Sequence, residues 1–186
     1  MLDAVEAGPY RAYLAALVYT GMRAGEASAL RVEDIDVPGR VIHVRRNFSM
    51  GRSGTIIEQS PKSHKERTVS LPQALLPYVE DAINGKRRSD LAFSGPRGGV
   101  LNPSNVRRAV DWDAIRRKLD RPELRIHDLR RTLATLLFDA GAAANDVQAI
   151  LGHSSLQVTE RYSRARADVA LRANAALDSL TWTERS

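Results

Sequence analysis

The sequence predicts a mainly α-helical domain carrying a small three-stranded antiparallel β-sheet. Three observations lead there. Apolar residues recur at helical spacing near the N-terminus and again through most of the chain after Pro72. Between these stretches, short runs rich in Val, Ile and Thr alternate in polarity and are separated by Gly, Pro and Ser. With 186 residues and 43% apolar composition, the chain can bury one real core and carry a small appendage.

The elements follow in order. PYRAYLAALVYT is the first predicted helix, with Pro9 suited to a first turn and Gly21 interrupting the pattern. AGEASALRVED opens a second, short helix. Pro38 and Gly39 make a turn. VIHVRRNF is a strand candidate, with Val41, His43 and Arg45 on one face and Ile42, Val44 and Arg46 on the other. TIIEQ and ERTVSLP are two further strands flanking the loop SPKSHK, and the three strands are expected to pair in one sheet. QALLPYVEDAIN returns to the helical period. NVRRAVDWDAIRRKL reads as a single helix capped by Asn102 or Ser104. HDLRRTLATLLFDAG, NDVQAILG, SSLQVTERYSRA and ADVALRANAALDSL are helical, with Gly141 and Gly152 as C-terminal stops. Neither internal repeats nor low-complexity segments are visible.

Composition narrows the function. The net charge is +6 and the isoelectric point about 10.0, which favours a polyanionic partner, because Lys and Arg release condensed counterions when they neutralise phosphates. There is no cysteine, so disulfides, thiol nucleophiles and Cys-based zinc sites are excluded, and a cytoplasmic compartment is expected. No apolar run approaches the roughly 20 residues that span a bilayer. The N-terminal stretch places acids before its apolar run and is not expected to act as a signal peptide.

Five polar clusters stand at helix ends or hairpin tips: Arg23 with Glu26, Lys62, His127 with Arg130, His153, and Tyr162. Singly, each has a plain structural explanation, such as a solvated arginine, a helix-capping group or a half-buried tyrosine. Their combination is more specific. TGMRAGE, PKSHKERTVSLP, HDLRRTLAT, LGHSS and the T-x-x-Y of TERY occur in this order in one chain, with the tyrosine nine residues after the histidine of LGHSS. Over nearly the whole chain this resembles the tyrosine recombinase, or phage integrase, family.

The resemblance implies the catalytic-domain fold of that family and a DNA-breaking and rejoining enzyme. It implies that Arg23 and Arg130 are catalytic arginines and that Glu26 supports one of them or a histidine. Lys62 matches the hairpin lysine, His127 the first member of H-x-x-R, His153 a position that is His or Trp, and Tyr162 the nucleophile. Lys65, Arg67, His64, Arg107 and Arg108 are expected to contact DNA, whereas His43 is expected to pack in its strand. The expected partner is double-stranded DNA at specific sites, bound by a homo-tetramer of a protein that is monomeric alone. The resemblance further implies a bacterial or phage-encoded, nucleoid-associated protein.

The chemistry of these side chains agrees. Attack on a phosphodiester develops charge on its non-bridging oxygens, which two permanently charged guanidiniums can clamp. A phenol with an ordinary pKa near 10 needs a base or cationic neighbours to become a nucleophile. His127 suits the base, and Lys62 suits the acid that protonates the leaving oxygen. No cofactor is expected. No metal is expected either, since the candidate histidines are far apart and no cluster of carboxylates accompanies them.

The expected division is a catalytic domain over residues 1–165 and a helical tail over residues 166–186, docked on a neighbouring subunit or packed in cis. The N-terminal core-binding domain of the family is expected to be absent, which weakens DNA affinity and complete recombination. Within the same chemistry, a resolvase-type recombinase and a type IB topoisomerase-like enzyme are the alternatives to an integrase. A non-catalytic DNA-binding relic would be expected to have lost Tyr162 or an arginine. A helix-turn-helix regulator built on the Arg-rich helix 105–119 would leave the other boxes unexplained.

Overall fold

The computed structural model of the protein describes residues 1–51, 54–59 and 66–152. Lys62, His64, Lys65, His153, Tyr162 and the tail over residues 166–186 lie outside the described residues. A central helix α1 (Pro9–Thr20) organises the fold. Every residue from Ala12 to Leu17 is buried, as a helix covered on all sides requires. It packs against α2 (Ala24–Ala29), α3 (Leu76–Ile83) and α6 (Asp128–Asp139). Pro9 stands in the first turn, and Gly21 closes the helix in the left-handed conformation with φ 64°.

The three-stranded antiparallel sheet is present, with a different membership from the one expected. Its order is β1 (Ile35–Asp36), β2 (Val41–Val44), β5 (Arg67–Ser70). Ile42 faces Val69 and His43 faces Thr68 across β2 and β5. Ile42, Val44 and Val69 turn into the core with Leu71, Leu75 and Phe93. β3 (Asn47–Met50) and β4 (Ile56–Gln59) pair separately as a two-stranded antiparallel ribbon.

VIHVRRNF is therefore two strands. The break falls at Arg45 and Arg46, whose guanidiniums both reach the buried carboxylate of Asp34, at 3.4 Å and 2.6 Å. Consecutive residues of one flat strand point to opposite faces, so two neighbours cannot share a partner without a bend. The predicted helix NVRRAVDWDAIRRKL is likewise two helices, α4 (Pro103–Ala109) and α5 (Trp112–Lys118). Asp111 stands between them at φ 44°, and its carboxylate accepts from the Ala114 N–H to cap α5. Asn102, rather than Ser104, caps α4 by accepting from the Ser104 and Asn105 N–H groups.

A smaller apolar cluster joins α6 to α7 (Ala144–Leu151) through Ala134, Phe138, Val147 and Leu151. α7 also touches β5 and ends at Gly152, again left-handed with φ 63°. This packing delivers the end of α7 to the junction of α1, α2 and β5.

Candidate active site

TGMRAGE forms the turn from α1 into α2, and each residue has a local task. The Thr20 hydroxyl donates to the Ala16 carbonyl at 2.6 Å and accepts from the Met22 N–H at 3.2 Å. Met22 is buried beneath the turn. Arg23 is the N-cap of α2, and its backbone N–H donates to Glu26 Oε2 at 2.7 Å, the reciprocal half of a capping box. The Ala24 carbonyl accepts from the hydroxyls of Tyr13 and Ser28. Gly25 lies against β3, where a Cβ would strike the Phe48 carbonyl and the Asn47 side chain.

Glu26 has no exposed side-chain surface, so its charge needs partners. Arg23 Nη1 donates to Oε1 at 2.9 Å. Arg67, entering from β5, takes both oxygens, with Nη1 to Oε1 at 2.8 Å and Nη2 to Oε2 at 2.7 Å. These bonds and charges hold the Glu26 carboxyl below its ordinary pKa, although desolvation, the largest single influence, pushes the other way.

Arg67 was expected at the DNA surface. Its side chain keeps only 10% of its exposure and is committed to Glu26, which corrects that expectation. Sequence alternation held the signal: Arg67 has the parity of Val69, which is buried, so both lie on the inward face of β5.

Arg130 enters from the first turn of α6 and is buried. Nη1 donates to the Gly21 carbonyl at 2.6 Å and Nη2 to the Leu151 carbonyl. Arg23 Nη2 donates to the Gly152 carbonyl at 3.2 Å, and Arg67 Nε to that of Ile150 at 3.4 Å. Three arginines from three separate segments thus meet three consecutive carbonyls at the end of α7. That is where the helix leaves carbonyls unsatisfied and its dipole favours cations. The next residue in the chain is His153.

His127 begins α6 and, with Arg130, Arg107, Arg125, Met22 and Ala24, lines a cleft of about 260 Å³. Loss of hydration lowers the His127 pKa, and Arg130 lowers it further; Asp128 opposes the shift. Its neutral ring therefore persists at neutral pH with a lone pair to accept a proton. Arg125, which the motif reading did not single out, was legible two residues before His127 in RIHDLRR.

Arg107 and Arg108 are exposed on α4. They also border a second cleft with Ser104, Asp111, Trp112, Asp113 and Arg116, where Asp113 pairs with Arg116 at 3.0 Å and Arg107 and Arg108 supply the exposed positive charge of α4. His43 is half-buried in β2, as strand packing predicts. Among the described residues, no group of three or more His, Cys, Asp or Glu side chains could hold a metal, and no helix is long and apolar enough to cross a membrane.

The Phage integrase family profile matches residues 1–168. Over 162 residues the chain is 32% identical to a protein of Mycobacterium tuberculosis described as a prophage phiRv2 integrase, covering 84% of this chain and 43% of that protein. It is 34% identical over 166 residues to tyrosine recombinase XerC of Corynebacterium efficiens, covering 87% and 48% respectively. The chain thus spans less than half the length of these two curated relatives. Among solved structures, the Tn1549 transposon integrase bound to circular intermediate DNA superposes with a TM-score of 0.78 at 18% identity, over 96% of this chain and 62% of that one. The catalytic domain of bacteriophage HP1 integrase superposes with a TM-score of 0.61 at 20% identity, over 99% and 92%. These structural likenesses show the fold.

Proposed function

The chain belongs to the phage integrase family, and from that premise we propose that it is the catalytic part of a site-specific recombinase. It cleaves and rejoins DNA strands through a phosphotyrosine at Tyr162. The observation that carries this reading is the convergence of Arg23 and Arg130 on adjacent carbonyls at the end of α7, with His127 lining the same cleft as Arg130.

The Tyr162 oxygen attacks the scissile phosphorus and the bond to the 5′ oxygen breaks. A 3′-phosphotyrosine and a free 5′ hydroxyl result. Arg23 and Arg130 stabilise charge developing on the non-bridging oxygens. His127, held neutral, receives the tyrosine proton, and Lys62 donates a proton to the leaving oxygen. His153 hydrogen-bonds a non-bridging oxygen, and Glu26 orients Arg23. The phosphotyrosine conserves the bond energy, so rejoining by the reverse attack needs no ATP. Arg107 and Arg108 contact the DNA backbone beside the site, and Lys65 and His64, close to Lys62 in the chain, do so as well. The partner is double-stranded DNA, on which the protein assembles as a homo-tetramer in the bacterial cytoplasm.

The test is covalent trapping. Nicked DNA substrates that lose a short fragment on cleavage are incubated with the protein, and adducts are resolved on a denaturing gel. Adducts are expected with the wild-type chain and not with Tyr162→Phe, which should still bind DNA. Adducts persisting in Tyr162→Phe would remove this tyrosine from the role.

A further inference from the structure

The buried ion-pair cluster contains more cation than its carboxylate requires. Glu26 is a single negative charge shared by two guanidiniums, those of Arg23 and Arg67. The two partners are not equivalent. Arg67 grips both carboxylate oxygens in a parallel fork and keeps 10% of its side-chain exposure. Arg23 gives Glu26 one side-chain N–H and keeps 27%. The triad carries a net single positive charge, and Arg23 is the member that solvent, or an anion, can reach.

The surroundings hold Arg67 in that post. Gly152 lies against its guanidinium, and a Cβ at Gly152 would come within 2.8 Å of Arg67 Nε and Cδ. Arg67 Nε reaches the Ile150 carbonyl, two residues before the Gly152 carbonyl that Arg23 holds. The same side chain therefore touches both the carboxylate that orients Arg23 and the end of the helix that leads to His153.

We infer that Arg67 is a positioning residue: by neutralising Glu26 it leaves the charge of Arg23 available to the scissile phosphate, and it fastens the end of α7 beside Arg23. This rests on the proposed strand-cleavage reading for its functional meaning. Without Arg67, Glu26 has Arg23 as its remaining side-chain cation within this triad. The two then form a neutral pair, and Arg23 offers a phosphate far less.

The inference predicts a rescue. Arg67→Met should impair the site, and adding Glu26→Gln to that variant should restore much of it, because the carboxylate that captures Arg23 is gone. Loss of packing alone predicts no recovery of anion binding. Two readouts are measured on Arg67→Met, Arg67→Lys, the double variant and Arg23→Ala. The first, independent of activity, is the rise in melting temperature caused by inorganic phosphate at constant ionic strength. The part of that rise abolished by Arg23→Ala should be lost in Arg67→Met and return in the double variant. The second is the single-turnover rate of adduct formation, with DNA affinity measured separately. That rate should fall by about 100-fold in Arg67→Met, as when one preorganised donor to the developing charge is lost. DNA affinity, spread over many phosphates, should change far less, and Arg67→Lys should be intermediate.

If Arg67→Met does not fold, the double variant, in which Arg23 is the one charge left of the triad, carries the test alone, because its Arg23 should still answer to phosphate. Phosphate binding by Arg67→Met equal to wild type, a folded double variant without the response, or a wild-type response that owes nothing to Arg23 would each overturn the inference. A wild-type chain that binds phosphate through Arg23 in this pattern yet forms no adduct would instead count against strand cleavage.

Discussion

His127 is a side chain whose charge state ordinary solution conditions can change, and its surroundings shift that change. Lost hydration and then Arg130 depress its pKa below the usual value; Arg131 and Arg23 add to the effect and Asp128 opposes it. The unfolded chain therefore binds the proton more tightly than the folded one. Stability rises with pH in that window. The contribution is intact above the ordinary histidine pKa of about 6.5 and is lost as pH falls through the lower folded value. Urea unfolding without DNA at about pH 7.5 and about pH 5 should show a larger loss for wild type than for His127→Gln. Equal losses would mean that His127 titrates normally in the fold. At this scale the sequence was legible for Arg23, Glu26, His127 and Arg130, because each belongs to a short box with fixed spacing. Arg67 is the harder residue to read, because its partner is 41 residues away and a basic residue next to a Lys- and Ser-rich run looks like a surface residue until the inward parity of β5 is considered.

Elements, rather than single side chains, explain why the glycines of the first box are needed. Gly25 is where α2 and β3 touch, and a Cβ there meets a backbone carbonyl that cannot swing aside. Overpacking of this kind costs about 1–3 kcal/mol. Gly25→Ala should lower the melting temperature by roughly 2–10 °C and slow adduct formation, since Arg23 and Glu26 sit in the same turn. Gly99→Ala is the matched control, because its Cβ would meet nothing within 4 Å. A Gly25→Ala variant as stable as the control would show that β3 yields at no cost. Element type was legible wherever a period ran long, as in α1, α6 and α7. Element pairing was less so. The split of VIHVRRNF depends on Asp34, and the split of α4 from α5 on one left-handed aspartate, Asp111. Neither leaves a mark on hydrophobic periodicity.

Among the described residues, Arg23, Arg67 and Arg130 meet at one helix end, and exposed arginines stand beside it. Arg107 and Arg108 stand exposed on α4, Arg107 also borders the cleft of His127 and Arg130, and Arg116 on α5 is already paired with Asp113 at 3.0 Å. If this face lies on DNA, binding should weaken steeply with salt, because each neutralised phosphate releases condensed counterions. The logarithm of affinity should fall against the logarithm of salt with a slope of about −0.9 per phosphate contact. Four contacts would lose on the order of 100-fold between about 50 and about 200 mM salt. Individual arginines should divide by location. Arg107→Ala and Arg108→Ala should each flatten the slope by about one unit. Arg87→Ala should leave it unchanged, because Arg87, though exposed, is already matched by Asp90 at 3.0 Å. Fluorescence anisotropy with a labelled duplex at several salt concentrations measures all three. A wild-type slope near zero would refute electrostatic docking altogether. A slope flattened as much by Arg87→Ala as by Arg107→Ala would mean that the DNA lies on some face other than α4 and α5.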